Sequence, residues 1–217
     1  MGEQTRSVRA LRDGSDLTQS SGVPADAFVL GVDLDGVCAN YTKAFRAVVA
    51  HELGVDPGTL GDQVSWDFLE WGITGREHFL ELHHRGVIEH RMFSTMGTIE
   101  GAAEALWRLS DAGVWIRVIT HRLHVKGGHT VAVSDTCTWL DDNDIPFRDI
   151  CFLGAKNSVD CDLYIDDSPG NIASLRGAGC NAVVFDQPYN RHVDGPRVQG
   201  WSECESYVLD RVSDHGS

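Results

Sequence analysis

The sequence predicts an α/β fold, a doubly wound parallel sheet with a small inserted α-helical cap, and three observations carry that expectation. Short apolar runs recur between stretches of helical periodicity, acidic and hydroxyl residues stand at the ends of those runs, and one long segment after the first run has no strand pattern. Strands that alternate with helices pair in parallel, because each helix returns the chain to the same end of the sheet. Ligands of such sheets bind in the crevice outside the carboxyl ends of the strands.

Phe28-Val29-Leu30-Gly31-Val32 is a continuous apolar run, as a strand buried on both faces requires, and it ends in Asp33-Leu34-Asp35-Gly36. Tyr41–Leu53 places Ala44, Phe45, Val48 and Val49 at helical spacing, and Gly54 supplies a stop. Between residues 55 and 93, short helical patches carry Trp66, Phe68, Trp71, Phe79, His83 and His84. Residues 39–93 are therefore expected to form the cap, and residues 27–38 with 94–217 the core. Beyond the cap, residues 101–112 predict a helix, 114–119 a strand, His129–Asp142 a helix, and 150–153 and 163–165 two short strands. Ser168-Pro169 reads as an N-cap followed by the first helical residue, and Ala182–Phe185 as a further strand. Residues 1–26, polar and poor in large apolar side chains, are expected to be a disordered leader.

The net charge of −14 over 217 residues opposes a grip on duplex nucleic acid, for which no basic face is evident. A small phosphorylated metabolite is compatible with that charge, since a metal ion and a few local cations overcome the global field. No apolar run reaches the roughly 20 residues that cross a bilayer, and the opening stretch lacks a signal's apolar core, so no membrane partner and a cytoplasmic location are expected. The six cysteines lack a C-x-x-C pair or zinc-finger spacing and are expected to be reduced thiols. His83, His84 and His90 show no zinc pattern and are expected to be solvated or structural.

Four chemical elements fall at strand ends: Asp33 with Asp35, Thr120, Lys156, and Asp166 with Asp167. Two carboxylates at the end of a buried strand repel each other unless a cation joins them. A phosphate ester repels an anionic nucleophile in the same way, so a carboxylate can attack it only beside a divalent cation and fixed donors. Mg2+, a hard ion that takes oxygen ligands, suits Asp33, Asp35, Asp166 and Asp167. Thr120 and Lys156 offer a hydroxyl and a charge to phosphoryl oxygens, and Gly36 lets backbone amides approach them. His121 and Arg122 are further candidates for phosphate contact, and Trp66 and Phe68, with Trp71, for stacking on a nucleobase. Each has a plain alternative: a capping acid, a solvated lysine, a surface ion pair, a core aromatic. The joint placement at strand ends favours the chemical reading for the acids, Thr120 and Lys156.

These motifs resemble those of the haloacid dehalogenase-like (HAD) superfamily of phosphatases, as Asp33-Leu34-Asp35-Gly36-Val37, Ile119-Thr120, Lys156 and Tyr164-Ile165-Asp166-Asp167 within residues 28–185. The DLDGV start, the cap placed directly after it, and Lys156 ten residues before Asp166 are similar to the pyrimidine-type, cytosolic 5′(3′)-deoxyribonucleotidase branch. The resemblance implies a Rossmann-type core and a Mg2+-dependent phosphomonoesterase acting on a nucleoside monophosphate. Asp33 would bind metal and become phosphorylated. Asp35 would bind metal through its carbonyl and serve as general acid, then base. Asp166 and Asp167 would complete the metal site, with their order left open, and the cap would close over substrate and offer a homodimer surface. Asn40 and Cys38 depart from the aspartate and leucine usual in that branch. The alternatives are a phosphatase of a phosphosugar or other small metabolite and a non-catalytic phosphoryl-ligand binding module.

Overall fold

The computed structural model describes residues 22–215, so most of the expected leader lies outside the described residues. Six strands, β1 Val29–Val32, β2 Trp115–Thr120, β3 Asp149–Phe152, β4 Leu163–Asp166, β5 Ala182–Phe185 and β6 Arg197–Val198, pair entirely in parallel in the order β3-β2-β1-β4-β5-β6. The chain winds outward from β1 in both directions, so the order reverses between β1 and β4. That reversal opens the crevice in which such folds bind ligands.

Side-chain alternation along the strands separates two apolar layers. Leu163, Ile165, Val183 and Phe185 join the larger core cluster, while Tyr164, Ala182 and Val184 face a smaller one. Helices α4 (Ala102–Asp111), α5 (His129–Asp142) and α7 (Trp201–His215) bury Leu106, Trp139 and Trp201 in the larger cluster. Helix α6 (Pro169–Gly177) buries Ile172 and Leu175 in the smaller one. At Gly31 the layers close tightly on the central strand: a Cβ there would lie 2.9 Å from Cys161 Sγ and 3.0 Å from Ile119 Cδ1.

Between β1 and β2 the chain forms α1 (Tyr41–Leu53), α2 (Arg76–Ile88) and α3 (Met92–Thr95), with two short 3-10 turns between α1 and α2. Asn40 caps α1, its side chain accepting from Lys43 N at 3.1 Å, and Gly54 ends the helix in the left-handed conformation. Asparagine and aspartate cap equally well, so the departure at Asn40 leaves the start of the helix intact. The chain enters and leaves this helical segment side by side: Asn40 N donates to Gly97 O at 2.8 Å and Ile99 N to Cys38 O at 2.7 Å. Cys38 is buried, and its thiol donates to Asp33 O at 3.3 Å. All six cysteines are free, and no helix among the described residues is long and apolar enough to cross a membrane.

Candidate active site

The strand ends that meet at the reversal bring Asp33, from β1, to Asp166 and Asp167, from the end of β4. One carboxylate oxygen from each lies within 4.8 Å of the others, and all three residues are buried. Lys156, in the turn after β3, reaches between them, with Nζ 2.8 Å from Asp33 Oδ1 and 2.6 Å from Asp166 Oδ2. One ammonium thus bridges two of the three buried carboxylates. Burial, opposed by Lys156 but reinforced by Asp166 and Asp35, pushes the Asp33 carboxyl up to about 7. Burial, then Asp166 and Asp33, also pushes Asp167 well above the carboxylate range. On Lys156 burial acts downward, but the two aspartates outweigh it and raise its pKa. An all-oxygen set short of positive charge fits a hard divalent cation, which would relieve the strain that burial places on Asp33 and Asp167.

The two neighbouring aspartates differ in their bonding. Asp166 accepts from Ser168 N at 2.8 Å, from Asn171 Nδ2 at 3.1 Å on each oxygen, and from Lys156. Asp167 is held through Oδ2 by the hydroxyl of Tyr189. Gly36 passes directly over it at φ +80°, where a Cβ would come within 2.1 Å of Asp167 Oδ2. Only glycine fits so close an approach. Thr120 ends β2 with its hydroxyl fully buried and without a hydrogen-bond partner. Buried hydroxyls are nearly always satisfied, so this one points to a missing acceptor at the site.

Asp35 stands apart from the trio and meets Arg122. Arg122 Nη2 donates to Asp35 Oδ1 at 2.7 Å, and Nε lies 3.2 Å from both carboxylate oxygens. The guanidinium, with a side-chain exposure of 0%, is stacked over Phe93 and Trp139 at 4.5 and 5.6 Å from the ring centroids and donates to Thr136 Oγ1 at 3.3 Å. Its fork is therefore engaged by Asp35 and the protein interior, which leaves little of it for a ligand. His121 is exposed at the rim, its ring 5.2 Å from that of His124, which lies beside Arg76. Burial, then His124, Lys156 and Arg76, lowers the His121 pKa.

Above the acids lies a cleft of about 500 Å3, walled by Tyr41, Trp66, Phe68, Phe79, His83 and Tyr189 among others. Trp66 is 48% exposed and meets the Tyr189 ring edge-on at 5.5 Å. Phe68 lines the same cleft but is buried in a ring cluster with Phe45 and Trp71, at 5.0 and 4.9 Å, and its backbone is held at φ +54°. Trp71 is fully a core residue, its indole donating to Gly61 O at 2.8 Å. His83, expected to be solvated or structural, is buried in the cleft wall with Nδ1 2.8 Å from the Tyr41 hydroxyl. Burial pushes its pKa down to about 4, so the ring is neutral. Tyr41, His83, Asn171 and Tyr189 were not among the residues expected from sequence. The segment 187–190 directly follows β5, so the strand-end rule that finds Asp166 would also have found Tyr189.

Comparison with known proteins accords with this geometry. The model of the family described as 5′ nucleotidase, deoxy (pyrimidine), cytosolic type C protein (NT5C) matches residues 27–213. A protein of Chlorobaculum tepidum named "Putative 5′(3′)-deoxyribonucleotidase" is 41% identical over 183 residues, covering 84% of this chain and 91% of its own. Among solved structures, a HAD-superfamily hydrolase (subfamily IA, variant 1) of Geobacter sulfurreducens shares the fold with a TM-score of 0.53 at 15% identity, over 88% of this chain and 99% of that one. A haloacid dehalogenase-like hydrolase of Streptococcus pneumoniae does so with a TM-score of 0.53 at 11% identity, over 85% and 100%. The chain belongs to the cytosolic type C 5′-nucleotidase family and is a phosphoric monoester hydrolase of HAD-like fold.

Proposed function

We propose, from membership of that family, that the protein is a cytoplasmic, Mg2+-dependent 5′(3′)-nucleotidase that removes phosphate from nucleoside monophosphates through an aspartyl-phosphate on Asp33. The observation that carries this reading is the buried trio Asp33, Asp166 and Asp167, served by one lysine, with the unpartnered hydroxyl of Thr120 at the end of the neighbouring strand β2. Asp33 and Asp167 with the carbonyl of Asp35 would hold Mg2+, which would supply charge neutralisation and Lewis acidity to the phosphoryl oxygens. Asp166, already engaged by four donor contacts, serves to orient Lys156 and the turn into α6. Lys156 fixes the rotamer of the Asp33 carboxylate and faces the incoming phosphoryl group, while Thr120 donates its hydroxyl to a phosphate oxygen.

Attack by Asp33 on phosphorus forms the acyl-phosphate bond as the bond to the ester oxygen breaks, and Asp35 delivers a proton to that oxygen. Asp35 then takes a proton from the water that hydrolyses the acyl-phosphate, returning Asp33 and free phosphate. Arg122 holds the Asp35 carboxylate in a fixed orientation for both transfers. The helical segment between β1 and β2 acts as a cap whose paired linkers at residues 38–40 and 97–99 let it close and exclude water. Trp66 offers an exposed face on which a nucleobase would stack.

Phosphate release from ribo- and deoxyribonucleoside monophosphates and phosphosugars, with Mg2+ or with a chelator, tests the reading. Turnover of nucleotides that requires Mg2+ is the expected result. Turnover of phosphosugars alone would refute the substrate while keeping the chemistry, and inertness toward the whole panel would leave a phosphoryl-ligand binding module in its place.

A further inference from the structure

A second cluster of metal-ligating side chains lies outside the cleft. His51, Glu52 and His90 each bring one ligand atom to within 4.8 Å of the other two. His51 and Glu52 close the last turn of α1, while His90 lies in the turn between α2 and α3. The two imidazoles meet edge-on with centroids 4.9 Å apart, and His90 Nε2 is 3.3 Å from Glu52 Oε1. The other carboxylate oxygen, Oε2, is held by Arg85 Nη1 at 2.6 Å. Both histidines line an open groove of about 600 Å3 that also includes Asn40, Lys43 and Met92. None of these side chains touches the acids, Thr120 or Lys156, and the phosphoryl chemistry leaves them unused.

We infer that His51, Glu52 and His90 form a second metal site, one that takes a borderline transition ion such as Zn2+. Two imidazoles and one carboxylate are a zinc set, whereas the oxygen-only trio in the cleft suits a hard ion. Arg85 supplies the outer contact such sites use, fixing the Glu52 carboxylate by one oxygen while the other faces His90. The carbonyls that end α1 add partial negative charge beside the cluster. The groove gives the ion an entry path and leaves its remaining position open to water. The site ties the end of α1 to the end of α2, across residues far apart in sequence, and so braces the helical segment at the side away from the cleft. This inference is independent of the nucleotidase reading.

The competing reading is a plain Arg85–Glu52–His90 hydrogen-bond network with His51 packed against it, and zinc uptake separates the two. The test uses untagged full-length protein with Mg2+ in excess to occupy the cleft carboxylates, and titrates Zn2+ against a chromophoric chelator. Wild type is compared with His51→Ala and His90→Gln. Wild type is expected to hold one Zn2+ per chain that each variant binds at least about tenfold more weakly. Co2+ in its place should show the intense visible bands of a four-coordinate ion in wild type only. Phosphate release measured with Mg2+ should be the same in all three proteins. Equal zinc stoichiometry and affinity in wild type and variants, or a six-coordinate cobalt spectrum in wild type, would overturn the site. His51 is exposed, so His51→Ala carries the test if circular dichroism shows His90→Gln to be misfolded.

Discussion

The floor and the wall of the cleft are built on opposite principles. On the floor, Asp33, Lys156, Asp166 and Asp167 come from three different strand ends and are fixed by charge and hydrogen bonds. In the wall, Tyr41, Phe68 and Phe79, backed by the core residues Phe45 and Trp71, come from one stretch of chain and are fixed by ring-to-ring packing. Directional bonds hold reacting atoms to a few tenths of an ångström, as in-line attack demands. Apolar packing tolerates shape change and costs little to rearrange, which suits a surface that must admit and release a substrate. Tyr189 touches both, its hydroxyl on Asp167 and its ring on Trp66. Under the proposed function, the difference gives the chemistry to the floor and the choice of leaving group to the wall.

The sharpest attack on that division is Asp33→Asn, which keeps shape and removes the proposed nucleophile. Turnover should fall at least about 10³-fold on every substrate, with no acid-stable phosphoenzyme trapped on rapid quench. Next comes Arg122→Met, which leaves the trio untouched but frees Asp35. The kcat on nucleotides should drop about 10²-fold, the scale of general acid-base catalysis, and less on p-nitrophenyl phosphate, whose leaving group needs no proton. A uniform loss on both substrates would make Arg122 merely structural.

Metal and pH probe the floor without mutation. Because burial raises Asp33 from 3.8 to about 7, the neutral form is favoured on folding, and its stabilisation, present at low pH, is lost as pH rises through about 7. Asp167 acts in the same direction. A cation binding the ionised carboxylates should therefore raise the melting temperature by several degrees more at about pH 8 than at about pH 5. Equal shifts at the two pH values would argue against these carboxylates as the ligands. The smallest effect expected is from Trp66→Ala: KM for nucleoside monophosphates should rise about tenfold, as loss of one stacking face predicts, with kcat and turnover of small phosphate esters retained.

Much of this was legible wherever local chemistry decides local structure. Tyr41–Leu53, His129–Asp142 and Ala182–Phe185 have the bounds their periodicity predicts, and Ser168-Pro169 begins α6 with Ser168 Oγ accepting from Asn171 N at 3.4 Å. Asp33, Asp35, Thr120, Lys156, Asp166 and Asp167 converge because strand ends in a parallel sheet share one side. Helix α7 is not among the expected elements although Trp201, Cys204 and Val208 repeat at helical spacing, and β6 is two residues long, too short for any pattern. Arg122 is a residue whose setting sequence alone does not decide. From sequence it is either a phosphate contact or a surface ion pair; it forms an ion pair, but a buried one, because Phe93, Trp139 and Asp35, which only the fold brings together, hold it inside. His90 is similar, since its neighbours His51 and Glu52 lie across a helical hairpin.

The pairing of β1 with β4 also has a consequence for how the protein is born. Val29 N bonds to Asp162 Oδ2, and Asp33 N to Ile165 O, across a separation of 133 residues in the first case. At a synthesis rate of about 5–20 residues per second, β1 emerges from the ribosome roughly 7–27 s before its neighbour does. During that interval an apolar central strand waits with an open edge and an isolated Asp33 beside it. The acidic trio is therefore complete only once residue 167 has emerged, and a nascent chain stalled before residue 162 holds Asp33, the proposed nucleophile, without Asp166 and Asp167 beside it.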